Sequence, residues 1–285
     1  MDNCSRINIV DFQYIYYKYI NLLRIGKLRT LSYEGNDTTM LYYPLKEIEG
    51  FSEKGNIKTC VCFDSKAEKK EMDASYKSNR KSTLGDEDYN KIEEIRNILK
   101  EVGYEVYKVD GYEADDLVAS LTNSLKDKYD EIHIYTVDKD LLQLIDDKVT
   151  VHLFRASKGY MEVNKRNFAE CTEKLFKVYV PYNMVKVFKS LCGDNSDNIK
   201  GVKGFGPSAF TRWLGSWNIV YANCNDNSYI KDLFMSTLKP DQIEQAIQSL
   251  ELVTFREIEL NEPFVSGAIG NREIYRQYGM NSFLK

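Results

Sequence analysis

The chain has 285 residues, 43% of them hydrophobic, and a formal net charge of −4 at pH 7. That length and composition suit one large domain, or a domain with a smaller module, built on a sizeable core. No apolar run approaches the roughly 18 residues of a membrane span, the N-terminus lacks a charged-then-apolar signal pattern, and the six cysteines form no C-x-x-C pair. Together these argue against a membrane protein, a zinc ribbon or a disulfide framework, and for a reducing, cytoplasmic or otherwise intracellular setting.

Residues 7–11 (INIVD) read as a strand ending in Asp11, and 14–25 as a Tyr-rich helix in which Tyr14, Tyr16, Tyr17 and Tyr19 serve packing. The stretch 26–56 carries turn signals at Gly26, Gly35, Asn36, Pro44, Gly50 and Gly55 and is expected to be a loop-rich insertion. A second strand, 57–64, ends in Asp64, with Cys60 and Cys62 as small core residues. Residues 65–85 are strongly charged and have no apolar face. A helix follows at about 86–102, with Ile92, Ile95, Ile98, Leu99 and Val102 on one side. Residues 104–109 alternate as a third strand. The helix over 113–129 opens with Glu113, Asp115 and Asp116, a placement the helix dipole favours. A fourth strand, 131–137, ends at Asp138, and a fifth spans 149–154. Beyond residue 160, apolar spacing predicts helices near 164–176, 182–192, 207–215, 229–238 and 240–253. His133 and His152 fall on predicted strands and read as structural.

Nine carboxylates fall in five short clusters: Asp11; Asp64; Glu113, Asp115 and Asp116; Asp138 and Asp140; Asp194 and Asp197. Strand–helix alternation predicts an α/β fold with a parallel sheet, and the acids at strand ends would converge on its ligand-binding edge. Crowded carboxylates repel unless a cation sits among them. Oxygen donors without nearby His or Cys suit hard divalent ions such as Mg²⁺ or Mn²⁺, and phosphate chemistry is a common use of such sites. Outside the clusters the remaining acids are outnumbered by the 39 Lys plus Arg, which is compatible with a nucleic-acid partner. The run DNSDNIKGVKGF lacks the terminal bidentate Glu of a calcium loop.

Six segments, in this order, carry a resemblance: VDF at 10–12, FDSK at 63–66, YKSNR at 76–80, GYEADDLVASL at 111–121, DKDLLQLI at 138–145 and GDNSDNIKGVKGFGPSAF at 193–210. The chain resembles the 5′-to-3′ exonuclease and flap endonuclease family, which includes stand-alone bacteriophage 5′ nucleases and the N-terminal nuclease of bacterial DNA polymerase I. Residues 26–56 and 260–285 lie outside its motifs. The resemblance implies a PIN-like catalytic domain over 1–179, with a helical arch at about 66–100. A helix-hairpin-helix DNA-binding module would occupy 180–285. It implies two or more divalent ions, Mg²⁺ with Mn²⁺ as substitute. Asp11, Asp64, Glu113 and Asp115 would surround the first, and Asp138, Asp140 and Asp197 the second. Asp116 and Asp194 would act directly or through water.

In the arch, Lys77 and Arg80 would face the scissile phosphate and Tyr76 would stack on an unpaired base. In the hairpin, Lys200, Gly201, Lys203, Gly204, Gly206 and Ser208 would contact duplex phosphates, and K⁺ would bind the hairpin carbonyls. Ser208 stands where the family commonly has Lys or Arg, Lys200 and Lys203 where prolines are common, and Phe12 where glycine follows the first Asp. The implied substrate is DNA with a 5′ flap or 5′ end, with RNA–DNA hybrid as a further partner, handled by a monomer in replication or repair. Two alternatives share these features: a PIN-like ribonuclease acting on RNA or RNA primers, and a catalytically silent protein that grips branched DNA. The complete acidic set argues against the second. A phosphatase with an Asp nucleophile is disfavoured because Phe12 and Gln13, not an Asp two residues on, follow Asp11.

Overall fold

The computed structural model describes residues 5–53, 56–65, 77, 83–260 and 270–284. Its centre is a six-stranded sheet: β1 (Arg6–Asp11), β4 (Lys58–Cys62), β5 (Glu105–Tyr107), β6 (Glu131–Thr136), β7 (Val149–Arg155) and β8 (Gly159–Val163). The spatial order is β5-β4-β1-β6-β7-β8, and every pairing is parallel except β7 with β8. The parallel strands are buried on both faces, so side chains alternate between two cores. Ile7, Ile9, Cys60, Cys62, Ile132 and Ile134 enter one, and Val10, Val61 and Tyr135 enter the other.

The second core is covered by α1 (Phe12–Arg24), α2 (Thr39–Phe51) and α3 (Asp86–Val102). Helix α3 buries the five residues its spacing predicted. Its first turn holds Asp86, Glu87 and Asp88, and Asp88 accepts the Gly85 N–H at 3.0 Å. The stretch 26–56 is not the loop-rich insertion expected. It forms a short hairpin, β2 (Ser32–Tyr33) and β3 (Asn36–Asp37), and then α2, despite Pro44 inside the helix. Proline removes one helical donor. The buried side chains Leu41, Leu45 and Ile48, at helical spacing, hold the helix against the sheet regardless. Asn8, buried at the middle of β1, donates to the Phe51 carbonyl at 2.7 Å and so ties off the end of α2.

The first core continues from α4 (Ala114–Leu125) without a break into the helical second half. That half comprises α5 (Phe168–Phe176), α6 (Val185–Cys192), α7 (Pro207–Ser216), α8 (Asn227–Thr237) and α9 (Pro240–Val253). The segment 270–284 then returns to the far side of the sheet, where α10 (Ile274–Gln277) packs near α3. Gly270 lies so close to the end of α3 that a Cβ there would fall 2.3 Å from the Val102 carbonyl carbon. Glu49 of α2 is buried and accepts from Tyr275 and Tyr104 hydroxyls at 2.7 and 2.8 Å, with Arg272 as its ion partner. The five described cysteines are all free, as core residues would be.

Candidate active site

Parallel strands β4, β1 and β6 lie side by side, so their C-terminal ends share one edge of the sheet. Asp11 closes β1, Asp64 follows β4, and Asp138 follows β6. Each carboxylate is oriented by a neighbour. Thr136 donates its hydroxyl to Asp11 Oδ2 at 2.9 Å and accepts the Asp138 N–H at 2.9 Å. Asp138 Oδ1 accepts the Asp140 N–H at 2.8 Å, which starts the short 3-10 turn Asp140–Leu144. Asp64 accepts the Ala114 N–H at 2.8 Å, so it caps the N-terminus of α4. Glu113 stands at the cap position of that helix and Asp115 in its first turn.

Asp194 and Asp197 arrive from the turn after α6. This turn is pinned by reciprocal backbone bonds between Asp194 and Ile199, each 2.8 Å. It also needs a close approach of two glycines. A Cβ on Gly201, at φ +62, would fall 2.3 Å from the Gly193 nitrogen. Gly201 is therefore buried packing inside the turn. Lys200, Lys203, Gly204, Gly206 and Ser208 are exposed and lie outside the cleft lining.

The acids line an open cleft of about 2180 Å³, to which Asp11, Asp64, Glu113, Asp115, Asp138 and Asp194 contribute. Oxygens of Asp140, Asp194 and Asp197 lie within 4.8 Å of one another, close enough to share an ion. Asp116 is apart from these. It is 0% exposed, does not line the cleft, and both its oxygens accept from Arg256.

Two lysines balance the cluster. Lys77 is 8% exposed; its N–H donates to the Asp197 carbonyl at 2.9 Å and its Nζ to Glu113 Oε1 at 2.6 Å. Lys189 of α6 is 3% exposed and lies between Asp140 and Asp194, donating to Asp194 Oδ2 at 2.6 Å. Burial works against the charge on each lysine. The surrounding carboxylates outweigh it, Asp115, Glu113 and Asp197 for Lys77 and Asp140, Asp138 and Asp194 for Lys189, so both are held protonated. Burial, with repulsion from Asp64 and Asp138, pushes Asp11 up to about 7. Positive charge brought beside such a carboxylate favours its ionised form.

Tyr76 and Arg80, with the rest of 66–76 and 78–82 of the expected arch, lie outside the described residues. Sequence reading missed Lys189 and Arg256. Lys189 sits in an apolar helix as an ordinary snorkelling lysine would, and its one signal is its position four residues before GDNSDN. Arg256 lies in a stretch without periodicity, which gives no signal.

Residues 6–174 match the family described as 5′-3′ exonuclease, N-terminal resolvase-like domain. The chain belongs to the 5′-3′ exonuclease family. A 5′-3′ exonuclease of Mycoplasma pneumoniae is 32% identical over 216 residues, covering 73% of this chain and 71% of the relative. DNA polymerase I of Caldicellulosiruptor bescii is 35% identical over 161 residues, which is 55% of this chain and 18% of that one. Among solved structures, the T5 D15 protein co-crystallized with metal ions has a TM-score of 0.62 at 18% identity, covering 88% of this chain and 91% of that one. The catalytic core of Rad2 in complex with DNA substrate has a TM-score of 0.56 at 20% identity, covering 98% and 87%. These likenesses show that the chain shares the α/β fold of those two proteins, and the family makes it a nuclease of the 5′-3′ exonuclease type.

Proposed function

We propose that this family member hydrolyses phosphodiesters at 5′ flaps and 5′ ends of DNA, with two divalent ions, Mg²⁺ or Mn²⁺, held in the cleft. The observation that carries this reading is the convergence of eight carboxylates from five chain segments around two buried lysines. The donor set is all oxygen, burial and the neighbouring acids push the Asp11 carboxyl up, and oxygens of three acids sit within one ion's reach. A pair of hard cations fits those residues. Asp11, Asp64, Glu113 and Asp115 would hold one, and Asp138, Asp140 and Asp197, with Asp194, the other. When bound, the ions supply an ionised water and neutralise charge on the leaving oxygen.

The chain's own contribution is positioning and preset charge. The Ala114 N–H and the Thr136 hydroxyl fix the orientations of Asp64 and Asp11 before substrate arrives. Lys77 Nζ is held at the cleft by Glu113. From there that ammonium would stabilise the scissile phosphate, where negative charge grows at the transition state. The stretch from Lys200 to Ser208, which joins α6 to the first turn of α7 and exposes Lys200, Lys203 and Ser208, would act as the hairpin of a helix-hairpin-helix. Its lysines, and the backbone amides opening α7, would meet duplex phosphates, and its carbonyls a K⁺ ion.

The deciding test is digestion of an internally labelled 5′-flap duplex in Mg²⁺, Mn²⁺ or EDTA, with an RNA flap in parallel. Cleavage of the DNA flap that needs the ion and leaves a 5′-phosphate is expected. Cleavage unaffected by EDTA would overturn the metal assignment, and faster cleavage of the RNA flap would overturn the substrate.

A further inference from the structure

We infer that Arg256 is a positioning residue for the metal-holding end of α4. On this view the segment 254–260 sets metal affinity from outside the cleft. This rests on the metal-dependent reading above. Asp116 belongs to the acidic motif, yet its carboxylate is already occupied. Oδ1 accepts the Arg256 backbone N–H at 2.8 Å. Oδ2 accepts Nε at 3.2 Å and Nη2 at 3.1 Å, and also the Glu113 N–H at 3.4 Å. Nη2 donates as well to the Gly111 carbonyl, and the guanidinium stands 4.3 Å over the Tyr112 ring. One arginine therefore grips residues 111, 112 and 116, the two ends of the short stretch that carries Glu113 and Asp115. Two residues further along, the Ile258 N–H donates to Ser120 Oγ at 3.1 Å and fastens the same segment one turn down the helix.

The need for such a grip follows from electrostatics. Glu113, Asp115 and Asp64 crowd the start of α4, and like charges there push the helix end away from the sheet edge. A planar guanidinium with a fixed fork resists this better than a flexible ammonium. Arg256 does not line the cleft, and flap binding in EDTA tests separately for a direct contact with DNA. Side chains that hold metal ligands in place, without touching the metal, typically control affinity by about 10–100-fold.

The experiment measures Mn²⁺ binding to the full chain without DNA, by calorimetry and by the EPR signal of free Mn²⁺. Wild type, Arg256→Ala, Arg256→Lys, Asp116→Asn and the Ala/Asn double variant are compared, with melting curves and flap binding in EDTA as controls. Arg256→Ala should weaken Mn²⁺ binding by about 10–100-fold while flap binding in EDTA stays at the wild-type level. Arg256→Lys should fall between the two and carries the test if the alanine variant does not fold. The double variant should be no weaker than the worse single variant, because both break one contact. Wild-type Mn²⁺ affinity in a folded Arg256 variant would overturn the inference. So would a further loss on adding Asp116→Asn to Arg256→Ala, because Asp116 would then hold the ion itself. Absence of Mn²⁺ binding in wild type would instead overturn the reading of the cleft as a metal site.

Discussion

Lys189→Met separates the folding role of the acid cluster from its chemical role. Methionine keeps the length of the side chain and removes its charge. Asp140 and Asp194 then remain against an apolar tip, with Asp197 beside them. Lys189 and Asp140 are almost fully buried, so solvent cannot take over the lost partner. Removing one member of such a pair costs about 3–5 kcal/mol. At roughly 2–4 °C per kcal/mol for a chain somewhat smaller than this one, melting should fall by about 6–20 °C. The assay is thermal unfolding by circular dichroism at pH 8 in EDTA. The pH matters because burial pushes the Asp140 carboxyl up; at lower pH it takes a proton and the lost lysine costs less. Saturating Mg²⁺ should then recover most of the loss, since an ion bound among the same carboxylates replaces the ammonium and adds about 2.7 kcal/mol at a hundredfold excess over Kd. An equal loss in EDTA and in Mg²⁺ would refute the idea that lysine and metal serve the same acids. No loss in EDTA would refute the buried ion pair itself.

Lys77→Ala should bind a 5′ flap nearly as wild type but cleave it about 10²–10³-fold more slowly in single-turnover reactions, with a larger loss of binding than of rate as the refuting result. Lys203→Ala should weaken DNA binding, spare the rate at saturating DNA, and lower the slope of log affinity against log salt by about one ion's worth; an unchanged slope and affinity would remove the hairpin from the DNA interface. His152, stacked on His133 and sharing a 2.7 Å hydrogen bond with it, is pulled down to about 4 by burial, then by His133 and Arg6. Its folded pKa lies below its unfolded one, so this contribution is present above pH 6.5 and is lost as pH falls toward 4, by up to about 3 kcal/mol. Asp11, raised to about 7, contributes with the opposite sign below that pH, so the diagnostic quantity is the difference from His152→Phe. Denaturant curves of that variant between pH 7.5 and 4.5 should show a smaller loss of stability on acidification, and parallel pH profiles would refute the assignment.

The acidic edge of the sheet was legible because its residues obey simple rules. A parallel strand ends at the ligand edge, and Asp11, Asp64 and Asp138 each follow an apolar run. The span of α3 was legible from five apolar residues at helical spacing and three acids at its start. Helix α2 was not, because Pro44, Gly50 and the turn residues before it are local signals of loop, while the contacts that override them come from β1 and from the segment 270–284. Asp116 shows the same limit inside the site. In sequence it cannot be told from Asp115, one residue away. Only a partner 140 residues distant makes one a lining residue and the other a buried anchor.

The bond between Glu49 and the segment 270–284 gives this enzyme a schedule as well as a shape. Glu49 leaves the ribosome 223 residues ahead of Arg272 and 226 ahead of Tyr275. At elongation rates of about 5–20 residues per second, that interval is roughly 10–45 s. Throughout it, a carboxylate destined for the interior has no cation to meet, and the face of α2 and α3 that will receive Tyr275 and Phe283 stays open. The second core thus reaches its final packing only once the segment 270–284 has been made. A chain that ends before Arg272 would leave the Glu49 carboxylate at the edge of the second core without its ion partner.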